Sequence, residues 1–442
     1  MMVLEFFIWG AWLPLIFGYL PSLGFSATEQ SLILNAFPIA AIVGMFFSNQ
    51  FADRKFAAEK FLAVSHLIGG LAILGLAFIQ PPAAGAPAGS APFWPFFILM
   101  LIHCLLYVPT ISITNSIAFA NMKDAQQEFG IVRMGGTIGW ILAAWPFTFI
   151  LVDWDKVKAA NPQGVVAWIG TVLGNGLTGD ALLHATKWTF IVAGIASLLL
   201  AAFSLTLPHT PPKKVEHGEN SLAWLESIKL LGLPFILVLW LVTFVDATVH
   251  NLFFNWTGRF LVAAPQAGGV GIPGNWVMPV MSIGQIAEIL TMFILGATLK
   301  RLGWRTTMII GILGHAARFA VFAFLPQYPA LIVTVNILHG ICYAFFFATV
   351  YIFVDEFFPK DARTSAQGLF NLMILGFGPL VANFVGPFLY DKTFSNNNIV
   401  NFKGLFLVPC ISAGFAAVAL ALFFRPPAKV KAKVEGPVVA AH

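Results

Sequence analysis

Long apolar runs alternate with short polar punctuation from the first residues of the chain to about position 424. The runs Trp188 to Leu207, Leu230 to Val249 and Leu405 to Phe424 contain no Lys or Arg, and only the middle one holds an acid, Asp246. A helix of about 20 residues crosses a hydrocarbon core of about 30 Å, so each run is long enough to span a membrane. Read against Gly, Pro and charged turns, the pattern predicts helices near 3–21, 30–51, 61–79, 95–117, 131–151, 187–207, 232–255, 276–299, 305–325, 329–355, 365–389 and 403–424. The expected fold class is therefore an all-α polytopic membrane protein with twelve transmembrane helices. The first run begins at Met1-Met2-Val3-Leu4-Glu5 with no basic stretch before it and no small-residue cleavage site after it, so it is expected to be retained as helix one.

Charge orients the helices. With the N-terminus in the cytosol, sixteen of the 24 Lys and Arg fall on the cytosolic side and six on the other, leaving Arg133 and Arg318 inside spans. That bias places both termini in the cytosol. The longest polar connection between spans on that side, His209 to Glu226, separates helices six and seven. It divides the chain into a bundle at 1–207, a cytosolic loop at 208–231, a second bundle at 232–424 and a cytosolic tail at 425–442. A repeat with an offset of six helices supports the division. Ala52-Asp53-Arg54-Lys55 follows helix two and Leu299-Lys300-Arg301-Leu302-Gly303-Trp304-Arg305 follows helix eight, while Lys123-Asp124-Ala125 and Lys360-Asp361-Ala362 occupy the fourth and tenth connections. Repeated halves with a site at their midplane interface are a secondary-transporter architecture.

Composition narrows the functional class. The chain is 59% hydrophobic and 10% charged, whereas a soluble domain carries about a quarter charged residues. The net charge of +5 lies in short loops instead of one basic face, which argues against a nucleic-acid partner. Cys104, Cys342 and Cys410 stand singly in apolar runs and read as small buried hydrophobes. No phosphate-binding Gly-rich loop, His-Glu-x-x-His or nucleophile elbow occurs, so neither an enzyme nor a nucleotide-driven pump is expected, and no cofactor or metal.

Polar residues inside the spans carry the candidate chemistry, because a charged group at mid-bilayer costs about 2.5–3.5 kcal/mol on insertion scales. Glu288 stands in an apolar segment with Gln285 three positions earlier on the same helical face. A carboxyl there can bind and release a proton as its surroundings alternate between dry and wet. Arg133, Thr137 and Trp140 form one stripe at i, i+4 and i+7; Arg133 could bind a ligand, balance Glu288 or reach to the interface. Asp246 and His250 are an i, i+4 pair, a second titrating pair or a static brace, and beside them Thr248, Asn251 and Asn255 offer groups that read hydroxyls and ring nitrogens. His339 and Tyr343 form another such pair, expected to line the cavity. His103, Asn115, Asn35, Trp9 and Trp12 are weaker candidates, and His315 and Arg318 read as structural supports.

The loop Ala52-Asp53-Arg54-Lys55 resembles the conserved helix two-to-three signature of the major facilitator superfamily, which makes Asp53 and Arg54, with Lys300 and Arg301 in the second half, candidate conformational gates. Trp9-Gly10-Ala11-Trp12-Leu13, Arg133-Met134-Gly135-Gly136-Thr137-Ile138-Gly139-Trp140, Leu205-Thr206-Leu207-Pro208-His209, Met281-Ser282-Ile283-Gly284-Gln285-Ile286-Ala287-Glu288 and Ala362-Arg363-Thr364-Ser365-Ala366-Gln367-Gly368 carry a closer resemblance. Along nearly its whole length the chain is similar to the bacterial nucleoside:proton symporters. The resemblance implies the major facilitator fold of two pseudo-symmetric six-helix bundles, proton-coupled nucleoside import by alternating access, a monomer, and the bacterial inner membrane. It also implies that Arg133, Thr137, Asn251, Gln285 and Glu288 contribute to recognition or coupling. The chain departs from the family in helix ten, where Tyr343-Ala344 replaces an aromatic followed by aspartate, and at Thr248 and His339 in place of Gln and Tyr. Those departures keep open a second cargo class: a sugar, a sugar derivative or another small polar metabolite, imported or exported.

Overall fold

A computed structural model describes residues 1–44, 56–82, 90–122, 125–212, 228–358, 360–396 and 399–426, without the side chains of 125–131 and 360–365. Its principal helices are α1 (Met2–Ser22), α2 (Ala27–Leu34, resuming over 36–44), α3 (Ala58–Leu76), α4 (Phe93–Asn121), α5 (Ala125–Ala144), α6 (Trp188–Ser204) and α7 (Pro234–Val262). They continue with α8 (277–302), α9 (304–324), α10 (Pro329–Phe357), α11 (360–393) and α12 (Phe402–Phe423). Among the described residues, nine helical stretches are long and apolar enough to cross a membrane, one of them the joined pair α8 and α9.

Local chemistry sets the boundaries. Ser26 caps α2 with a capping box: its hydroxyl accepts from the Glu29 N–H, and the Glu29 carboxylate accepts from the Ser26 N–H at 2.8 Å. Gly303, at φ 72°, adopts the left-handed conformation open to glycine and turns α8 into α9 without a loop. Widened π-helical turns interrupt α10 at Tyr343–Ala348 and α11 at Leu372–Phe377 and Leu389–Thr393. Such turns concentrate at functional sites.

The packing repeats with an offset of six. α1 packs on α5 and α6, and α3 on α4 and α6; equivalently α7 packs on α11 and α12, and α9 on α10 and α12. Contacts between the sets follow the same relation, since α2 meets α11 where α8 meets α5. Close approach depends on glycine at the tightest crossings. A Cβ on Gly139 would fall on the backbone of Val3 and hold α5 away from α1; one on Gly340 would fall on the backbone of Ala287 and Glu288 and hold α10 away from α8. The outer surface is apolar, with Phe78, Phe293 and Phe415 each more than 70% exposed. A water-facing surface of that kind would be prohibitive, and lipid removes the cost.

Two features depart from the sequence-based reading. The stretch between α5 and α6, read as a plain connection, holds short helices at Trp154–Ala160, Val165–Gly174 and Gly179–Ala185. Ahead of α12, Ser395–Asn396 pairs antiparallel with Ile399–Val400, and Val152 and Gly176 form an isolated bridge, small exceptions to the helical structure of the described residues. Hydrogen bonds between the two sets concentrate at the end remote from the chain termini. There the Asn275 side chain donates to the carbonyls of Thr148 and Val172, both at 3.2 Å, and the Trp276 indole donates to the Leu173 carbonyl. At the same end the Arg259 guanidinium donates to the Phe17 carbonyl and to Gln30.

Candidate functional site

Near the middle of the molecule α5 and α8 bring the two sets together. Thr137 donates to Glu288 Oε1 across 3.5 Å, and the Arg133 guanidinium lies 4.2 Å from the centroid of the Phe6 ring of α1. Gly136 makes that placement possible, because a Cβ there would strike the Phe6 ring. Arg133, Thr137, Trp140, Glu288 and Tyr343 are each partly exposed. An aromatic row crosses the interface above them. Phe37 stacks on Trp9 at 4.6 Å, Trp9 meets Trp140 edge-on at 5.3 Å, and Trp140 reaches Phe254 of α7 at 6.1 Å. A planar base or sugar ring would find a cation, a hydroxyl, a carboxylate and flat π-faces within one small volume.

The remaining sequence candidates distribute differently. Asn251 donates to Asn383 Oδ1 at 2.8 Å, Asn255 donates to the same oxygen at 3.1 Å, and Asn383 donates to the Leu34 carbonyl at 3.0 Å. Three asparagines thus tie α7, α11 and α2 together. The Thr248 hydroxyl donates to the Phe244 carbonyl of its own helix. Tyr351 and Asn371, which sequence reasoning passed over, share a 2.5 Å hydrogen bond between α10 and α11. Asp53 and Arg54 lie outside the described residues, and Lys300 and Arg301 are exposed at the end of α8.

Asp246 and His250, read as partners because of their spacing, do not meet. The Asp246 carboxylate turns toward α9 and stands 3.7 Å from His315 Nε2. Arg318 explains the turn, for its buried guanidinium is the nearest cation and reaches His315 Nδ1 at 3.1 Å. Likewise His339, expected beside Tyr343 on the cavity wall, is buried: its Nδ1 accepts from Arg318 at 2.7 Å and its Nε2 lies 3.3 Å from Gln285. His250 stacks on it at 4.7 Å. The signal that could have found this cluster was in the sequence, since an arginine in the middle of an apolar run demands partners.

The profile of the nucleoside H+ symporter family matches residues 1–175 and 163–429. The chain is 31% identical over 435 residues to a putative nucleoside transporter, YegT, of Escherichia coli K12, covering 96% of this chain and 92% of that one. It is 25% identical to the xanthosine permease of the same organism, over 98% of this chain and 96% of the relative. Among solved structures, that of the nucleoside transporter NupG superposes with a TM-score of 0.75 at 22% identity, covering 96% of this chain and 98% of the other. The D-xylose-proton symporter superposes at 0.67 and 16% identity, over 96% of each chain.

Proposed function

Because the chain belongs to the nucleoside H+ symporter family and is an integral membrane transporter of the major facilitator fold, we propose that it carries nucleosides inward with protons by alternating access. The observation that bears this reading is the approach of Thr137 of α5 to Glu288 of α8 at 3.5 Å, which brings an acid of one set to the stripe that carries Arg133 in the other. Glu288 takes a proton from the outer side, the cargo binds across Arg133, Thr137 and Gln285 with Trp140 and Tyr343 as aromatic faces, and opening toward the cytosol releases both. Asn251 acts at the edge of this site through Asn383.

The reading extends to the arrangement of the chain. Residues 1–207 and 232–424 form two bundles of six crossings, 208–231 links them in the cytosol, both termini are cytosolic, and the monomer resides in the bacterial cytoplasmic membrane. Several hydrogen bonds that join the sets lie at the end remote from the termini, which supports a conformation closed to the outside if the termini are cytosolic as proposed. In this reading Asp53, Arg54, Lys300 and Arg301, which follow the second and eighth helices in the sequence, gate the opposite end. Proteoliposomes loaded at high pH and diluted into low pH test the function with labelled uridine, adenosine and xylose. Gradient-stimulated uptake of a nucleoside is expected; its absence for every nucleoside removes the cargo assignment, and uptake of xylose alone moves it to sugars. A Glu288→Gln protein that still accumulates cargo against its gradient removes the coupling assignment.

A further inference from the structure

Both sets of helices bury an acid opposite a histidine, and the two arrangements differ in one decisive respect. In the first, Glu5 of α1 faces His66 of α3 at 2.9 Å, its other oxygen accepts from the Thr110 hydroxyl at 2.8 Å, and His66 Nδ1 meets the Ser197 hydroxyl at 3.0 Å. Every group there is partnered, as a brace requires. In the second, Asp246 of α7 faces His315 of α9, but the distance is 3.7 Å and neither carboxylate oxygen has a hydrogen bond among the described residues, although the residue is wholly buried. A buried carboxylate left without donors is costly and calls for a reason other than bracing.

The proton positions around it follow from Arg318. A guanidinium only donates, so His315 and His339 both accept from it at Nδ1 and carry their hydrogens on Nε2. The His315 N–H then points at Asp246, and the His339 N–H points at Gln285, which must turn its amide oxygen, otherwise without a partner, toward the ring. Donation thus runs outward from Arg318 in both directions, through His339 to Gln285 on one side and to His315 on the other, where the ring N–H is aimed at Asp246 across 3.7 Å; Gln285 stands three residues before Glu288 on the same face of α8. Other titratable groups facing it are His250 of α7, whose ring stacks on His339 at 4.7 Å and meets His315 edge-on at 5.6 Å, and Cys342 of α10, within electrostatic reach of Asp246 and Arg318.

We propose that Asp246, with His315 and Arg318, is a second proton-binding site of the C-terminal set, and that its occupancy reaches the cargo position through His339 and Gln285. A proton arriving by way of the His250 side bonds to a carboxylate oxygen of Asp246 and returns to water when that oxygen is exposed. While bound, it cancels the anion that draws the His315 N–H, which frees Arg318 to shift its hold between the two rings and so to release or fix the Gln285 amide. The coupling half of this inference rests on the transport reading above; the proton-binding half does not.

The test therefore begins without cargo. Purified full-length protein in lipid nanodiscs is titrated while the infrared carbonyl stretch of protonated carboxyl groups is followed. Wild type and Glu288→Gln are expected to share a titrating component that Asp246→Asn lacks. Loss of all titration in Glu288→Gln, or an unchanged component in Asp246→Asn, overturns the site. If Asp246→Asn does not fold, His315→Asn is expected to move the midpoint of that component by about one pH unit or more, and an unmoved midpoint overturns it equally. In proteoliposomes the ratio of gradient-driven uptake to cargo exchange should fall about tenfold in Asp246→Asn, within the range of ordinary coupling free energies. A proportional loss of both reduces the cluster to a brace. A chain that moves no nucleoside fails the uptake arm but leaves the infrared result standing, which separates failure of the cargo assignment from failure of the site.

Discussion

Arg259 is the residue whose removal should most directly open the outer face. Its Nε donates to the Phe17 carbonyl at 2.8 Å, Nη2 reaches the same carbonyl and, at 3.3 Å, Gln30, so one guanidinium of α7 binds both α1 and α2. Asp391, 3.6 Å away, and the Tyr390 ring, at 4.3 Å, come from α11 in the same set and hold the guanidinium in place; Asp391 also accepts from the Gln30 side chain of α2 at 3.2 Å, a link between the sets that removal of Arg259 leaves standing. A hydrogen bond to a charged group contributes about 1.5–3 kcal/mol, and the long contact to Gln30 adds little. Truncation to alanine should therefore cost the closed conformation about 2 kcal/mol and shift a two-state equilibrium about 30-fold toward outer opening. Leu34, buried and close to Arg259 in the same seam, is a suitable reporter. In a background with Cys104, Cys342 and Cys410 replaced, the labelling rate of a Leu34→Cys reporter by a membrane-impermeant maleimide should rise by about that factor in Arg259→Ala. Arg259→Lys, which keeps the charge but cannot serve two acceptors as a fork, should fall between. A change of less than about twofold in Arg259→Ala would show that these bonds form without holding the gate.

Three further outcomes follow from the same contacts. Asn383→Ala should lower the unfolding free energy in detergent by about 2–3 kcal/mol, because Asn251, Asn255 and the Leu34 carbonyl all lose their partner at once; an unchanged midpoint would mean water replaces it freely. Gly340→Ala should destabilise by about 1–3 kcal/mol by forcing α10 off α8, whereas Gly296→Ala, whose added methyl meets open space, should be neutral or stabilising. On the outer connection, the Lys156 side chain and backbone N–H hold the Asp153 carboxyl below its usual range. A depressed value means that the cap contributes above the ordinary carboxylate range and is lost as pH falls through the lowered value, so the protection of the Lys156 amide, its exchange rate relative to the intrinsic rate at each pH, should fall only under acidic conditions. Equal protection from neutral to strongly acidic pH would dismiss the cap.

Span positions were legible because a membrane leaves the chain few choices. Apolar length and glycine at turns are local properties, and they set most described helix ends within a few residues, including the pair that Gly303 joins without a loop, while α5 (Ala125–Ala144 against 131–151) and the end of α7 (Val262 against 255) lie further off. The stripe Arg133, Thr137 and Trp140 was legible for the same reason, since helical spacing alone puts three residues on one face. What escaped was tertiary. Asp246 and His250 share a stripe, yet the carboxylate follows the stronger field of Arg318 on another helix, and no periodicity along α7 encodes where α9 will lie. His339 met the same fate, drawn inward by that cation and away from Tyr343. The short helices between α5 and α6 were missed because segments of seven to ten residues lack the length that makes a span visible.

The two buried acid–histidine pairs bear on how one set of helices can be rigid while the other switches. Glu5 and His66 bind Thr110 and Ser197 as well, so α1, α3, α4 and α6 are locked by bonds that all persist together. The equivalent cluster in α7, α9 and α10 contains one donor-only group, Arg318, between two rings and an acid with free acceptor sites. Such a network has more than one way to be satisfied, and interconversion needs only a proton and a small rotation of an amide or a ring. The widened turn at Tyr343–Ala348, on the helix that carries His339, supplies backbone that can absorb that rotation. On the proposal above, the moving part lies beside Gln285 and Glu288 in the second set, while α5, with Arg133, Thr137 and Trp140, packs on α1 of the locked group.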